Sequence, residues 1–400
     1  MKKRIAAVLI VLAAGICEGT AAADSLNIRK TESHVVTDAG LGYLFSSKGF
    51  SGYSSAADRK NLHTSASLRA GYAFSFTEAT SAGRLYPGAY QGIGASVTTF
   101  FGPGEIGTPV SLYLFQGAPV KRFSRRLSMV YEWNFGASFG WKKFDYDTGM
   151  KANVIVGSRI NALISLALMA DYRLSRDLGL RFGVEGKHFS NGNTAVPNPG
   201  VNTLGLRLGL IYTPGDVRKE SVEVIEKEKP EFRPAISYDL LLYGAVHKQL
   251  VDLSDGQRLA APGRFGVAGI SFAPMYGINR FMRTGISLDL KYDEAGNLQK
   301  YLEEGATADN IRFRRQPFAE CLTGGLSARA ELVMPVFSVN AGIGYNIAGA
   351  KANRKFYQIL NLKTRVMRHL WINIGYRIND FHNPENLVIG LGYTFGRIER

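Results

Sequence analysis

Residues 177–190 read DLGLRFGVEGKHFS, and their alternation decides the fold. Leu178, Leu180, Phe182 and Val184 fall on one face, followed by Gly186, His188 and Ser190. Asp177, Gly179, Arg181, Gly183, Glu185, Lys187 and Phe189 fall on the other. Successive strand residues point to opposite faces, so a period of two gives one apolar face and one polar face. The next segment repeats it. Asn202, Leu204, Leu206, Leu208, Leu210 and Tyr212 oppose Thr203, Gly205, Arg207 and Gly209. A soluble sandwich would turn the apolar face inward. A transmembrane barrel turns it outward to lipid and encloses a polar lumen.

Three features favour the barrel. The strands are long enough to cross a bilayer, which takes ~9–11 tilted residues. Polar-face positions carry charges and glycines, as a narrow lumen requires. Aromatic residues cluster near strand ends, among them Tyr43, Phe45, Tyr72, Phe74, Tyr113, Phe115, Trp141, Tyr212, Tyr393 and Phe395, as interfacial girdles do. The pattern predicts eight strands, near 34–45, 63–77, 90–101, 108–119, 125–142, 152–173, 177–190 and 201–213. Eight more follow, near 234–247, 262–275, 279–293, 319–333, 336–347, 355–367, 369–379 and 386–396. Between them, 216–233 is a charged linker whose densest run is Glu226-Lys227-Glu228-Lys229, before Pro230.

The two series close alike, one with NTLGLRLGLIY (202–212) and the other with NLVIGLGYTF (386–395). A degenerate duplication therefore predicts an eight-stranded barrel over 24–215 and a second barrel-like half over 234–400. One barrel of about sixteen strands is the alternative, since such barrels range widely in strand number.

The 400 residues carry 45 glycines, 11% aromatics and only two cysteines, with 46% apolar residues. No internal apolar run reaches the ~18–20 residues of a membrane helix. The cysteine count excludes a disulfide scaffold and a zinc ribbon. Lys2, Lys3 and Arg4, the apolar stretch 5–16 and Ala21-Ala22-Ala23 read as a secretory signal peptide over residues 1–23. Ile16 stands where a lipoprotein would need a small residue before Cys17, and loss of Cys17 leaves Cys321 alone. Removal of Lys2, Lys3, Arg4 and Glu18 lowers the formal net charge from +15 by two. Such an excess solubilises a surface or attracts anionic lipid head groups, and no nucleic-acid motif accompanies it.

His188 and Ser190 are the sharpest chemical feature. They share the apolar face, where polar groups are expensive. The hairpin that follows is rich in turn formers, Asn191-Gly192-Asn193 and Pro197-Asn198-Pro199-Gly200. Asn202 opens the partner strand on the same face, and adjacent strands lie about 4.8 Å apart, so His188, Ser190 and Asn202 can meet. A serine becomes a nucleophile when a base takes its proton, and histidine is that base near neutral pH. A third group fixes the imidazole tautomer, which Asn202 can do without supplying a charge. Oxyanion donors can come from Asn191, Gly192 and Asn193 or from the Asn198 side chain.

His188-Phe189-Ser190-Asn191, with Asn198 to Asn202, resembles the lipid A 3-O-deacylase family of outer-membrane enzymes. The resemblance implies an eight-stranded barrel and ester hydrolysis at the 3-position of lipid A in lipopolysaccharide, with no metal or cofactor. It implies Ser190 as nucleophile, His188 as base, Asn198 in oxyanion binding and Asn191 as the motif asparagine. Asn202 falls where the family carries the glutamate that orients the histidine. The resemblance extends over about 90–214, and it implies location in the bacterial outer membrane after signal-peptide cleavage. His382-Asn383 is followed by Pro384, so the second half is expected to hold no triad of its own. Arg125-Arg126 and Arg314-Arg315 are candidates for lipid phosphate contact, or ordinary loop charge.

Overall fold

The computed structural model describes residues 30–45, 63–101, 106–143, 155–215, 232–254, 256–353, 355–381 and 383–396. The signal-peptide segment, most of the charged linker and His382 lie outside the described residues.

Strands β1 (Thr31–Phe45), β2 (Thr64–Phe76), β3 (Tyr90–Phe100), β4 (Gly107–Arg122), β5 (Leu127–Trp141), β6 (Ile160–Arg173), β7 (Leu178–Ser190) and β8 (Val201–Tyr212) form one closed antiparallel barrel. Closure pairs β1 with β8, for example Leu41 with Leu206. A short helix, α1 (Ser81–Leu85), lies in the β2–β3 connection. The chain then enters β9 (Ile236–His247) and a small hairpin of β10 (Leu250–Asp252) and β11 (Arg258–Ala260). It continues with β12 (Phe265–Asn279), β13 (Met282–Asp293), β14 (Leu322–Val333), β15 (Phe337–Gly349), β16 (Phe356–Arg365), β17 (Leu370–Asn379) and β18 (Asn383–Gly396). β18 pairs with β9 through Leu391 and Leu242, closing a second barrel of eight strands. The single sixteen-stranded barrel is thereby overturned: the β1–β8 and β9–β18 ladders seal each half on itself, leaving no edge for a larger ring.

The alternation sorts each strand as read. On β8, Leu206 and Leu208 point outward and are about half exposed, whereas Arg207 between them is 3% exposed. Inward charges are affordable because each meets an opposite charge. Arg207 donates to Asp38 at 2.7 Å and to Glu132 at 2.6 Å. Arg181 reaches Glu132 and Asp171, each at 2.9 Å, and Arg69 pairs with Glu185. The second lumen repeats this logic with Arg329–Asp289 at 2.7 Å and Lys363 bridging Asp239 and Glu331, each at 2.6 Å.

Three residues depart from expectation. Tyr113, Phe115 and Trp141, expected in the aromatic girdle, point inward and are buried. The Tyr113 ring covers Gly94, where a Cβ would lie only 2.5 Å from the ring. A narrow lumen uses such glycines to admit a flat ring. Tyr43, Phe45, Tyr72, Tyr212, Tyr393 and Phe395 are exposed as outward aromatics.

The barrels stand side by side. Trp133 of β5 meets Phe337 of β15 edge-on at 5.6 Å, with Leu362 of β16 buried beside them. Parity makes all three outward-facing, and they are shielded only because the other barrel covers them. Near the short-turn end, the Tyr86 hydroxyl donates to the Arg280 carbonyl at 3.1 Å, and the Tyr131 hydroxyl to Met334 Sδ at 3.4 Å.

Candidate active site

The opposite end holds the β7–β8 hairpin. His188 pairs directly with Asn202 across the strands, and Ile164 and Ala162 of β6 flank His188 and Ser190 on the other side. His188 Nδ1 lies 2.6 Å from Asn202 Oδ1. An amide oxygen only accepts, so Nδ1 carries the proton and donates it, and Nε2 is left with its lone pair. Gly200, at φ +78°, allows this fit: a Cβ there would lie 2.8 Å from His188 Cε1.

Ser190 is 5% exposed. Its Oγ rests against the Asn198 amide, 3.0 Å from Nδ2 and 3.2 Å from Oδ1. The Gly192 N–H donates to the same Oγ at 3.2 Å. Asn198 Oδ1 also accepts the Asn191 N–H at 3.1 Å, which fixes the amide orientation. Two donors, Asn198 Nδ2 and Gly192 N–H, therefore converge on the serine oxygen. His188 makes no hydrogen bond to Ser190 in this arrangement.

The other two candidates serve the loop. Asn191 knits the turn: its Nδ2 donates to the Ala195 carbonyl at 2.9 Å, and its carbonyl accepts from Thr194 Oγ1 at 2.9 Å. Asn193, at φ +63°, faces the second barrel. Its carbonyl accepts the Lys248 N–H at 2.8 Å, and its Nδ2 donates to the Lys248 carbonyl at 3.1 Å. Leu387 of β18 lies over Gly192, where a Cβ would come within 2.4 Å of it. Tyr376 of β17 turns its hydroxyl toward Ser190.

These contributions from the second half carry no motif. Only one signal was present: Tyr376 follows Leu370, Ile372 and Ile374 in the outward series, a hydroxyl on an apolar face. Arg314 and Arg315 sit in the β13–β14 connection at the same end as Ser190, and Arg125 and Arg126 in the β4–β5 turn at the other.

Two family models match the chain. The lipid A 3-O-deacylase (PagL) model covers residues 67–210, and the acyloxyacyl hydrolase C-terminal domain model covers residues 236–397. No curated protein sequence matches. Among solved structures, the chain is similar to Neisserial surface protein A at 9% identity and a TM-score of 0.32, covering 46% of this chain and 99% of that one. It is also similar to the siderophore receptor PirA from Acinetobacter baumannii at 9% identity and a TM-score of 0.24, covering 86% of this chain and 68% of that one. The two family models between them span most of the sequence, and the chain belongs to the lipid A 3-O-deacylase family.

Proposed function

We propose that this protein is an outer-membrane serine esterase that hydrolyses the ester at the 3-position of lipid A. The Asn202–His188 hydrogen bond carries the reading, since it leaves Nε2 as a free base one strand step from a serine oxygen already facing two donors.

In the reaction the Ser190 hydroxyl leaves Asn198 and turns to His188 Nε2. Oγ attacks the ester carbonyl carbon while its proton passes to Nε2. The carbonyl π electrons move onto oxygen, and Asn198 Nδ2 with the Gly192 N–H stabilise that oxyanion. Collapse breaks the bond to the sugar oxygen, which takes the proton back from the imidazolium and leaves as an alcohol. Water, deprotonated by Nε2, then cleaves the acyl-serine ester and releases the fatty acid. Asn202 orients the ring throughout but brings no negative charge to the imidazolium.

The strand order supports an outer-leaflet site. With residues 1–23 removed as a signal peptide and the new N-terminus on the periplasmic side, odd strands run outward. β7 then delivers Ser190 to the leaflet that holds lipopolysaccharide.

Ser190→Ala and His188→Ala are each expected to abolish fatty-acid release from lipid A while the barrel keeps its heat-modifiable mobility on gels. Wild type in detergent micelles should release acyl chains from lipid A in preference to phospholipid. Unchanged lipid A mass after incubation would overturn the enzyme reading, and faster release from phospholipid would reassign the substrate.

A further inference from the structure

The second barrel offers one polar side chain to the serine. Outward tyrosines on this barrel are ordinarily exposed, as Tyr393 is at 41%. Tyr376 is 9% exposed because it is pressed against the first barrel beside Ser190. Its hydroxyl is shielded from solvent and, although it faces Ser190, makes a well-formed hydrogen bond to no group among the described residues. Burying an unpaired hydroxyl costs about 1–3 kcal/mol, so an orphan in this position calls for a reason.

The partner is missing in the resting site because the serine is already saturated. Ser190 Oγ receives Asn198 Nδ2 and the Gly192 N–H on its two lone pairs, and its own proton has Asn198 Oδ1 within reach. Tyr376 is left facing an oxygen that has no room for a third donor. An acyl ester changes this count. Its carbonyl oxygen enters beside Oγ and acquires a third lone pair when the tetrahedral intermediate forms. A phenol hydroxyl waiting there gains its hydrogen bond only as that charge develops, which is the requirement for lowering a barrier and not merely tightening binding.

We propose that Tyr376 is a catalytic residue supplied by the C-terminal barrel, donating its hydroxyl proton in a hydrogen bond to the acyl oxyanion. The active site is then completed across the contact between barrels. The Asn193–Lys248 backbone pair and Leu387 over Gly192 hold the two halves of it in register. This inference rests on Ser190 as the nucleophile.

Tyr376→Phe in the full chain keeps the ring and removes only an unpartnered hydroxyl, so the fold should lose no stability. Fatty-acid release from lipid A in detergent is measured for wild type, Tyr376→Phe, Ser190→Ala and Tyr393→Phe, the last altering a distant outward tyrosine. We expect kcat of Tyr376→Phe to fall about 10²-fold, the scale of one lost oxyanion donor, with KM nearly unchanged. Tyr393→Phe should match wild type, and all four should show the same heat-modification transition. A wild-type kcat in Tyr376→Phe overturns the proposal, as does a raised KM with unchanged kcat, which marks a packing role. If Ser190→Ala retains activity, the nucleophile reading itself fails. If Ser190→Ala is inert and Tyr376→Phe is fully active, only the role of Tyr376 fails.

Discussion

Asn202 is the residue whose replacement tests the base most directly. Its Oδ1 accepts from His188 Nδ1 at 2.6 Å. Asn202→Asp keeps the shape and puts a negative charge on that oxygen. A hydrogen bond to a charged group contributes about 1.5–3 kcal/mol, against about 0.5–1.5 for a neutral one. The surplus, about 1–1.5 kcal/mol, is realised when the imidazolium forms and corresponds to roughly five- to tenfold in kcat. The carboxylate is desolvated in ground and transition states alike, so that cost falls on stability and not on kcat. Asn202→Leu acts the other way. It leaves Nδ1–H without an acceptor at about 1–3 kcal/mol in both states, and only the part that grows with the imidazolium charge, about 1–1.5 kcal/mol or roughly five- to tenfold, falls on kcat. Initial rates of fatty-acid release from lipid A micelles, taken on heat-modifiable protein at one pH, should rank Asp above Asn above Leu. Wild-type activity in Asn202→Leu would refute the reasoning, as would an inert but folded Asn202→Asp. Asn202→Glu, the residue of the related enzymes by resemblance, should retain or raise activity, since its extra methylene asks only a small shift of the ring.

Gly200→Ala should depress kcat while leaving the barrel folded. The φ of +78° strains alanine by roughly 1–2 kcal/mol, and the new Cβ meets His188 Cε1 at 2.8 Å, so the imidazole must move. Gel mobility separates the lost rate from a lost fold. Arg207→Met should destabilise the first barrel by about 3–5 kcal/mol, because Asp38 has no other salt-bridge partner among the described residues and is left charged and buried. Urea unfolding followed by tryptophan fluorescence measures this, and an unchanged midpoint would contradict the ion-pair argument.

Much of this was legible in the sequence, for physical reasons that also set the limits. Alternation on β7 and β8 is local, so it placed Arg181 and Arg207 inside and Leu206 and Leu208 outside. The cross-strand meeting of His188 and Asn202 followed from a single hairpin. Partners of the inward charges did not follow, because Arg207 finds Glu132 through the register of a closed ring. Nor did the number of barrels, which depends on whether β1 seeks β8 or a strand of the other half. For Tyr113 and Phe115 strand parity, and not closeness to a strand end, carries the answer. Val110, Leu112 and Leu114 fill the outward parity of β4, which leaves both aromatics inward. For Tyr376 the sequence offers only a hydroxyl on an outward apolar face, since contact between two barrel walls leaves no periodicity in either.

The cross-braced lumen has a consequence for traffic. Arg181 is 0% exposed and Arg207 3%, locked to acidic partners on facing walls. An ion moving along the axis would have to unseat guanidinium groups from buried ion pairs that span the lumen. In a planar bilayer the N-terminal barrel should therefore be electrically silent, a tube in outline and a solid post in practice. Nothing then reaches Ser190 through the interior. On the proposed function, substrate would enter sideways along the outer wall of the barrel, and the released acyl chain would depart by the same lateral route.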